Sequence, residues 1–166
     1  MLEIFQANTR EQITTARELI VEYAAWLEFN LCFQGFEEEM QGLPGKYAPP
    51  AGRLFLASWN GEIAGVIALR PVEIADEEKA GERICEMKRL FVRPDFRGHS
   101  IGRTLAEKLI AEAREIGYTR MRLDTVPGKM DSAIAMYREL GFVEAPAYYS
   151  TPVTQMIFMD LLLQHA

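Results

Sequence analysis

The most constraining feature of the sequence is the segment 83–117, in which a hydrophobic stretch, a glycine-containing turn and a long amphipathic stretch follow one another. Residues 84–92 are rich in β-branched and aromatic side chains, which predicts a strand, and Pro94 follows where that strand ends. After a turn at 98–102, apolar residues recur every three or four positions, which predicts a helix that ends at Gly117. These apolar residues, which would lie on one face of the helix, are Ile101, Leu105, Leu109, Ala113 and Ile116.

The turn between this strand and this helix has the features of an anion site. Arg97 stands at its entrance and Arg103 stands just inside the helix, where the first backbone amides have no helical acceptor. Two guanidinium groups and free amides at one point favour a phosphate or a diphosphate. The alternative is an ordinary connection between a strand and a helix.

The strand before the turn carries charges in its middle, at Glu86, Lys88 and Arg89. Charged side chains are costly to bury unless they are paired or used in chemistry. One interpretation is an edge strand with a solvated face. The other is that the carboxylate of Glu86 faces a cleft.

Two motifs in the sequence are similar to those of a known family. The stretch VRPDFRGHSIGRTLAEKLI resembles the acyl-CoA-binding signature of the GNAT superfamily of N-acyltransferases, written as Arg or Gln, two residues, Gly, one residue, and Gly or Ala. Arg97, Ser100 and Gly102 stand at the three defined places, and Gly98 also stands where most members have glycine. The later stretch AIAMYRELGF, residues 133–142, is similar to the family's helix that ends in a tyrosine and a glycine-aromatic pair. The resemblance covers residues 54–158.

The sequence departs from the family pattern at two positions. Ser100 replaces the usual glycine, and a positive φ there would cost about 1 kcal/mol or more. The serine hydroxyl could instead donate to a phosphate oxygen. Met130 replaces an asparagine that often lies seven residues before the tyrosine, which removes one side-chain contact to the cofactor.

The resemblance implies a fold class and a single domain. It implies the acyl-CoA N-acyltransferase fold of the mixed α/β (α+β) class over residues 1–166, with a mostly antiparallel sheet of six to seven strands and helices on both faces. The strands at 83–92 and 118–124 are expected to splay apart at their C-terminal ends, so that a cofactor arm can bond to the open edge of the first strand.

The resemblance also implies acetyl-CoA as co-substrate, with no metal. Its diphosphate would bind the amides from Arg97 to Arg103, and its pantetheine arm would bond to the backbone near Leu90 and Val92. The residues expected to bind it are Leu90, Phe91, Val92, Arg97, Gly98, His99, Ser100, Ile101, Gly102 and Arg103.

Two residues are candidates for proton transfer during attack of an amine on the thioester. Glu86 would take the proton of the amine, directly or through a water, and the alternative is a structural ion pair with Lys88 or Arg89. Tyr137 stands where the family tends to place the acid that protonates the departing thiolate, whereas its periodicity alone predicts a core tyrosine. Cys85 is not favoured as a nucleophile, because no histidine is near it in the sequence.

Composition narrows the class of protein. The 166 residues carry a net charge of −6, which argues against general nucleic-acid binding. No apolar run is long enough to span a bilayer and the N-terminus does not resemble a signal peptide, so a cytoplasmic protein without membrane contact is expected. Cysteines 32 and 85 and histidines 99 and 165 have no spacing typical of a disulfide framework or a metal site.

Local patterns predict the remaining elements. Thr9 and Gln12 have the spacing of a capping box at the start of a helix, Asn60-Gly61 predicts a hairpin turn, and Asp131 is expected to cap a later helix. The predicted strands are 2–7, 53–58, 62–70, 120–124, 142–147 and 154–162. One helix is predicted to follow the capping box, with apolar residues as far as Leu27, and two more are predicted at 36–40 and 132–140. An acidic loop is predicted at 71–81.

These observations lead to a functional hypothesis with alternatives. The leading hypothesis is an N-acetyltransferase that acts on a small amine or amino acid. The alternatives are a protein N-acetyltransferase and a non-catalytic acyl-CoA-binding module. The segment 31–52 is expected to form part of the acceptor pocket, in which Glu37, Glu38 and Glu39 either meet a cationic substrate or form a solvated face. Tyr47 either lines this pocket or packs. The late strands and the habit of the family favour a homodimer.

Overall fold

The computed structural model describes residues 1–27, 35–73, 81–151 and 155–163. Cys32, His165, most of the predicted acidic loop and the first residue of the last predicted strand lie outside the described residues. The strands are β1 (Leu2–Gln6), β2 (Arg53–Trp59), β3 (Glu62–Pro71), β4 (Ile84–Val92), β5 (Arg120–Thr125), β6 (Val143–Ala145) and β7 (Ile157–Leu162). The helices are α1 (Arg10–Leu27), α2 (Phe36–Gln41), α3 (Ile101–Ile116) and α4 (Asp131–Glu139), and single 3₁₀ turns occur at Gly45–Tyr47 and Pro94–Phe96.

The strands form one seven-stranded sheet in the order β1-β2-β3-β4-β5-β7-β6. Every neighbouring pair is antiparallel except β4 and β5, which are parallel. Helix α3 provides the crossover between these two parallel strands. The predicted α+β class with a mixed, mostly antiparallel sheet is confirmed. Within the described residues, none of the helices is both long and apolar enough to cross a membrane.

Helices cover both faces of the sheet, as predicted. On one face, buried residues of α3 such as Leu105 and Leu109 share a cluster with Ile67 of β3. On the other face, Leu19 and Ile20 of α1 share a cluster with inner residues of β2 and β3. Burial of apolar surface on both faces explains why the inner strands are almost continuously hydrophobic.

Most of the local structures that the sequence predicts are present. The Thr9 hydroxyl accepts a hydrogen bond from the Gln12 amide at 3.1 Å, and the Gln12 side chain accepts one from the Thr9 amide at 3.1 Å, which completes the capping box. The prediction for Asp131 is wrong, because it is the first residue of α4 and Met130 is the N-cap. The Asp131 carboxylate instead accepts a hydrogen bond from the Gly128 amide in the preceding turn, at 2.8 Å.

A β-bulge interrupts β4 in its middle. Val66 of β3 pairs with Phe91 and Ala68 pairs with Lys88, so Arg89 and Leu90 together oppose one residue of β3. Arg89 adopts a φ of 61°, a left-handed conformation that is uncommon for a residue with a side chain. A bulge adds twist and turns the strand away from its neighbour. The bulge lies in the half of β4 beyond its pairing with β5.

An ion pair fixes the bulged residue to α2. The Arg89 Nε lies 2.9 Å from Glu39 Oε2, and the Arg89 Nη2 lies 3.0 Å from Glu39 Oε1, so the pair is bidentate. Only 3% of the Arg89 side chain is exposed. Burial alone would raise the pKa of Glu39, but hydrogen bonds and the charge of Arg89 outweigh it and hold that pKa below its ordinary value. The pair therefore stabilises both the short helix α2 and the strained residue of β4.

We expect Glu39→Gln to destabilise the fold by about 2–3 kcal/mol at neutral pH, because it leaves the buried Arg89 guanidinium without a full counter-charge. Glu37→Gln is the matched control, since Glu37 is exposed on the same helix. Urea unfolding of the two variants and the unaltered protein measures the difference. Equal stability of the two variants would contradict a structural role for the pair.

The stability that Glu39 contributes depends on pH. The pKa of Glu39 is lower in the folded chain than in the unfolded chain, so its contribution is present above the unfolded value and is lost as the pH falls through the folded value. The difference in stability between the unaltered protein and Glu39→Gln should therefore shrink as the pH falls below about 4.5.

Candidate active site

The centre of the candidate site is a gap between the two parallel strands. β4 and β5 pair at only three positions, Ile84 with Arg120, Cys85 with Met121, and Glu86 with Arg122. Beyond Glu86 the strands separate, as the family resemblance implies, whereas β5 pairs along its whole length with β7 on its other edge. The edge of β4 that faces β5 is therefore open from Met87 onward, and its backbone groups can bond to an extended ligand.

A small cavity of about 20 Å³ occupies this gap. Both strands, α1 and α4 contribute to its walls. The lining residues are Tyr23, Met87, Lys88, Arg89, Leu90, Leu123, Asp124, Met130 and Tyr137.

A larger groove of about 290 Å³ runs from the open edge of β4 to the N-terminus of α3. Eight of the ten predicted cofactor-binding residues line it, namely Leu90, Phe91, Val92, Arg97, Gly98, Ser100, Ile101 and Gly102. Ser100 adopts a φ of 58°, the strained conformation expected where the family has glycine, and no side chain caps α3. The first helical hydrogen bond runs from the Thr104 amide to the Ser100 carbonyl, so the amides at 101–103 have no helical acceptor.

The two other predicted residues, His99 and Arg103, turn their side chains elsewhere. The His99 ring stacks on Trp59, with ring centres 4.3 Å apart. The Arg103 guanidinium bonds to Glu139 at 2.6 Å and to Glu107 at 2.9 Å. The side-chain charge of Arg103 is thus compensated by two carboxylates on the surface.

Two residues that the sequence does not single out add positive charge and apolar surface to the groove. The Trp26 ring contacts two cations, with the Arg97 guanidinium carbon at 4.8 Å and the Lys129 Nζ at 5.2 Å from its centre. Free amides at the α3 terminus, two cations and an open strand edge form a chemical match for the diphosphate and the amide-containing arm of an acyl-CoA. The residues present therefore fit this group.

A third cavity, of about 460 Å³, is lined by two of the three charged residues of β4, Glu86 and Lys88. The Glu86 carboxylate lines it and is 2% exposed, so it faces a cleft rather than a solvated edge. Its nearest cation is Arg70 of β3, whose Nε and Nη2 both lie 2.8 Å from Glu86 Oε1. The Tyr148 hydroxyl donates to Glu86 Oε2. The sequence proposes Lys88 or Arg89 as the ion-pair partner of Glu86, whereas Arg70 holds it most closely.

A second carboxylate, Asp124 of β5, lies across the gap from Glu86. The Tyr149 hydroxyl donates to its Oδ2 at 2.6 Å, and the Lys88 Nζ lies 3.6 Å from the same oxygen. Lys88 is also 4.0 Å from Glu86 Oε2. Burial lowers the pKa of the Lys88 ammonium, and the charges of Glu86 and Asp124 oppose that change.

Tyr148 and Tyr149 thus connect the β6–β7 segment to both carboxylates. This role is not evident from the sequence, and neither are the positions of Asp124 and Arg70 in the site. The available signal is weak: two adjacent tyrosines stand in a polar stretch between two short strands. Their partners lie 62 and 25 residues away along the chain, so only the tertiary fold brings them together.

Tyr137 of α4 is buried and its side chain lines the gap cavity. It packs edge-on against Phe142, with ring centres 5.7 Å apart. Burial raises the pKa of Tyr137, so its hydroxyl keeps its proton at neutral pH. Burial also raises the pKa of the Cys85 thiol, which disfavours the thiolate that a cysteine nucleophile requires.

Comparisons with known proteins agree with this geometry. The family model described as the acetyltransferase (GNAT) family matches residues 20–142. An uncharacterized N-acetyltransferase of Schizosaccharomyces pombe is 33% identical over 96% of this chain and 94% of its own length. An uncharacterized N-acetyltransferase of Dictyostelium discoideum is 31% identical over 93% of this chain and 96% of its own length.

Solved structures share the fold. A GNAT family acetyltransferase from Staphylococcus aureus Mu50 matches 99% of this chain and 100% of its own, with a TM-score of 0.75 at 21% identity. A GNAT family acetyltransferase from Elizabethkingia anophelis, solved with acetyl-CoA bound, matches 68% of this chain and 77% of its own, with a TM-score of 0.53 at 24% identity. The sequence matches agree with the splayed strands and the groove at α3. The chain belongs to the GNAT acetyltransferase family and is an acyl-CoA N-acyltransferase.

Proposed function

We propose that this acyltransferase transfers an acetyl group from acetyl-CoA to the primary amine of a small molecule or amino acid, by direct attack in a ternary complex. The observation that carries this proposal is that the gap beside β4 lies between two cavities. The groove at α3 shares Leu90 and Met130 with the gap, and the cavity that contains Glu86 shares Lys88 with it. A donor and an acceptor bound on opposite sides would meet in the gap.

On this proposal the donor occupies the groove. The amides of 98–103 and the Arg97 guanidinium would hold the diphosphate, and backbone groups of Leu90 and Val92 would bond to the pantetheine arm. The bulge leaves Arg89 and Leu90 without a register partner on β3, which supports a role for the Leu90 amide in stabilising negative charge on the thioester oxygen.

The acceptor would occupy the cavity beside Glu86, and Glu86 would take the proton that the amine loses. Glu86 Oε1 is held by Arg70 and Oε2 by Tyr148, so the carboxylate is fixed in position. Tyr137 would donate a proton to the departing thiolate, and its burial and its position in the gap cavity support that role.

The direct test is release of the CoA thiol from acetyl-CoA in the presence of single amines. The panel should contain amino acids, diamines, aromatic amines and a peptide with a free N-terminus. We expect rapid thiol release with at least one small amine and a product mass increased by one acetyl group. Turnover of the peptide alone would instead identify a protein N-acetyltransferase. Binding of acetyl-CoA without turnover of any acceptor would identify a non-catalytic module.

Glu86→Gln should lower kcat/KM about 100-fold and change the shape of the pH-rate profile, because an amide cannot accept the proton of the amine. Glu73→Gln is the matched control, since Glu73 is exposed and lines the same cavity. The measurement is the pH-rate profile with the best acceptor. A profile identical to that of the unaltered protein would exclude Glu86 as the base.

Tyr137→Phe should lower kcat at least several-fold and leave the affinity for acetyl-CoA nearly unchanged, because only the proton donor is removed. Tyr118→Phe serves as the control, since the buried Tyr118 hydroxyl donates to the Ala51 carbonyl outside the cavities described above. Steady-state kinetics and calorimetric titration separate the two quantities. An unchanged kcat would assign Tyr137 to packing alone.

A further inference from the structure

Two cations stand where the cavity that contains Glu86 meets a neighbouring cavity of about 320 Å³. The walls of this neighbouring cavity come mainly from α2 and from the 3₁₀ turn that follows it. In the described part of the chain, Lys46 and Arg70 are the residues that line both cavities. Lys46 belongs to the 3₁₀ turn and Arg70 belongs to β3. Two separate elements thus bring positive charge to one place on the acceptor side of the gap.

The Arg70 guanidinium keeps donors for a ligand. Its Nε and its Nη2 both lie 2.8 Å from a single oxygen of Glu86, Oε1. Within the described residues, Arg70 makes its hydrogen bonds and ion pairs with this one oxygen, so the edge formed by Nη1 and Nη2 is available. Two parallel N–H groups on such an edge match the two oxygens of a carboxylate. The side chain is 29% exposed, so a ligand in either cavity has access to it.

The Lys46 ammonium is the second cation, and the protein does not neutralise it. Lys46 is exposed, and among the residues that the structure describes it forms no ion pair. Three other carboxylates line the two cavities. Glu38 and Glu73 are exposed and pair with neither cation in the described ranges, whereas Glu39 is bound by Arg89. An anionic group of a ligand would therefore meet a positive charge without a competing partner.

We propose that Arg70 and Lys46 bind the carboxylate of the acceptor, and that the acceptor is a free α-amino acid. This inference rests on the proposed function, in which Glu86 takes the proton of the amine. Because Arg70 contacts Glu86 directly, a carboxylate on the other edge of the guanidinium lies two hydrogen-bond lengths, or roughly 6 Å, from that base. The amine and the carboxylate of an α-amino acid are joined through one carbon, and they fit this short separation.

The same two cations disfavour other classes of acceptor. The N-terminal amine of a peptide is followed by a neutral amide, which would leave both cations without a counter-charge. A diamine would place a second positive charge beside them, and like charges repel. The cavity volumes are in the range that holds a small ligand, so the side chain of an amino acid has room beside its carboxylate.

The first test compares an amino acid with an analogue that lacks only the negative charge. The common amino acids are assayed with acetyl-CoA, and the best of them is compared with its α-carboxamide, which keeps the amine and the side chain. The value of kcat/KM is expressed per concentration of neutral amine, because the carboxamide is less basic. We expect it to be at least about 30-fold higher for the amino acid. An equal or higher value for the carboxamide would overturn the carboxylate site.

The second test removes the exposed cation. Lys46→Met should raise KM for the amino acid about tenfold and leave kcat/KM for the carboxamide within about twofold, because only the carboxylate meets this charge. Differences in amine basicity cancel, since both proteins are assayed with the same two acceptors. Lys108→Met is the matched control, because Lys108 is exposed, pairs with Glu112 on α3 and lines none of the cavities described above. An unchanged preference in Lys46→Met would contradict the role of Lys46.

Arg70→Lys is the complementary variant. It keeps the charge but loses the two parallel N–H groups, so the preference for the amino acid over its carboxamide should fall at least about fivefold. Because Arg70 also holds Glu86, turnover of both acceptors should fall, and this ratio separates carboxylate binding from that effect. Thermal unfolding verifies that each variant folds. A ratio equal to that of the unaltered protein would exclude Arg70 from carboxylate binding.

Failure of this inference and failure of the proposed function are distinguishable. If the unaltered protein acetylates no amine, or acetylates the peptide alone, then the proposed function fails, and the carboxylate site fails with it. If the protein acetylates small amines but uses carboxamides as well as amino acids, then only the carboxylate site fails.

Discussion

The incomplete pairing of β4 with β5 is the interaction on which the rest of the structure depends. Backbone amides and carbonyls in a protein interior are costly when unpaired, so two adjacent strands normally pair along their length. Here the pairing stops after Glu86. Two features of β4 accompany the separation: the bulge at Arg89 and Leu90, and the bidentate pair that fixes Arg89 to Glu39. A ligand with amide groups can then complete the ladder that β5 leaves open.

The two carboxylates at the gap, Glu86 and Asp124, each have a cation and a hydroxyl donor from other elements. Glu86 of β4 meets Arg70 of β3 and Tyr148 of the β6–β7 segment, whereas Asp124 of β5 meets Tyr149 of that segment and Lys88 of β4. These cross-element contacts hold two diverging strands at a fixed separation without closing them. The site is thus preorganised by polar contacts rather than by a continuous sheet.

Local structure could be predicted from the sequence because its signals are local. The strand, turn and helix of 83–117, the capping box at Thr9 and the hairpin at Asn60 all depend on residues a few positions apart. The splayed strands and the groove at α3 follow instead from the resemblance of two motifs to the family. Asp131 shows the limit of such rules, because its carboxylate bonds backward into the turn and does not cap the helix.

The candidate site was less accessible to sequence reasoning, because its contacts join distant parts of the chain. Glu39 and Arg89 are 50 residues apart, and Tyr148 and Glu86 are 62 apart. Neither spacing nor periodicity identifies such partners. The orientations of the His99 and Arg103 side chains could not be predicted either, because the residues that they contact, Trp59 and Glu139, belong to other elements.

The central claim is that the gap between β4 and β5 receives a thioester. A crystal structure of the protein with acetyl-CoA tests it most directly. We predict that the diphosphate lies on the amides at the start of α3, that the pantetheine arm bonds to the backbone of β4 beyond its bulge, and that the thioester carbon lies in the gap beside Lys88 and Tyr137. A thioester bound outside the gap, or strands β4 and β5 paired along their full length, would contradict it.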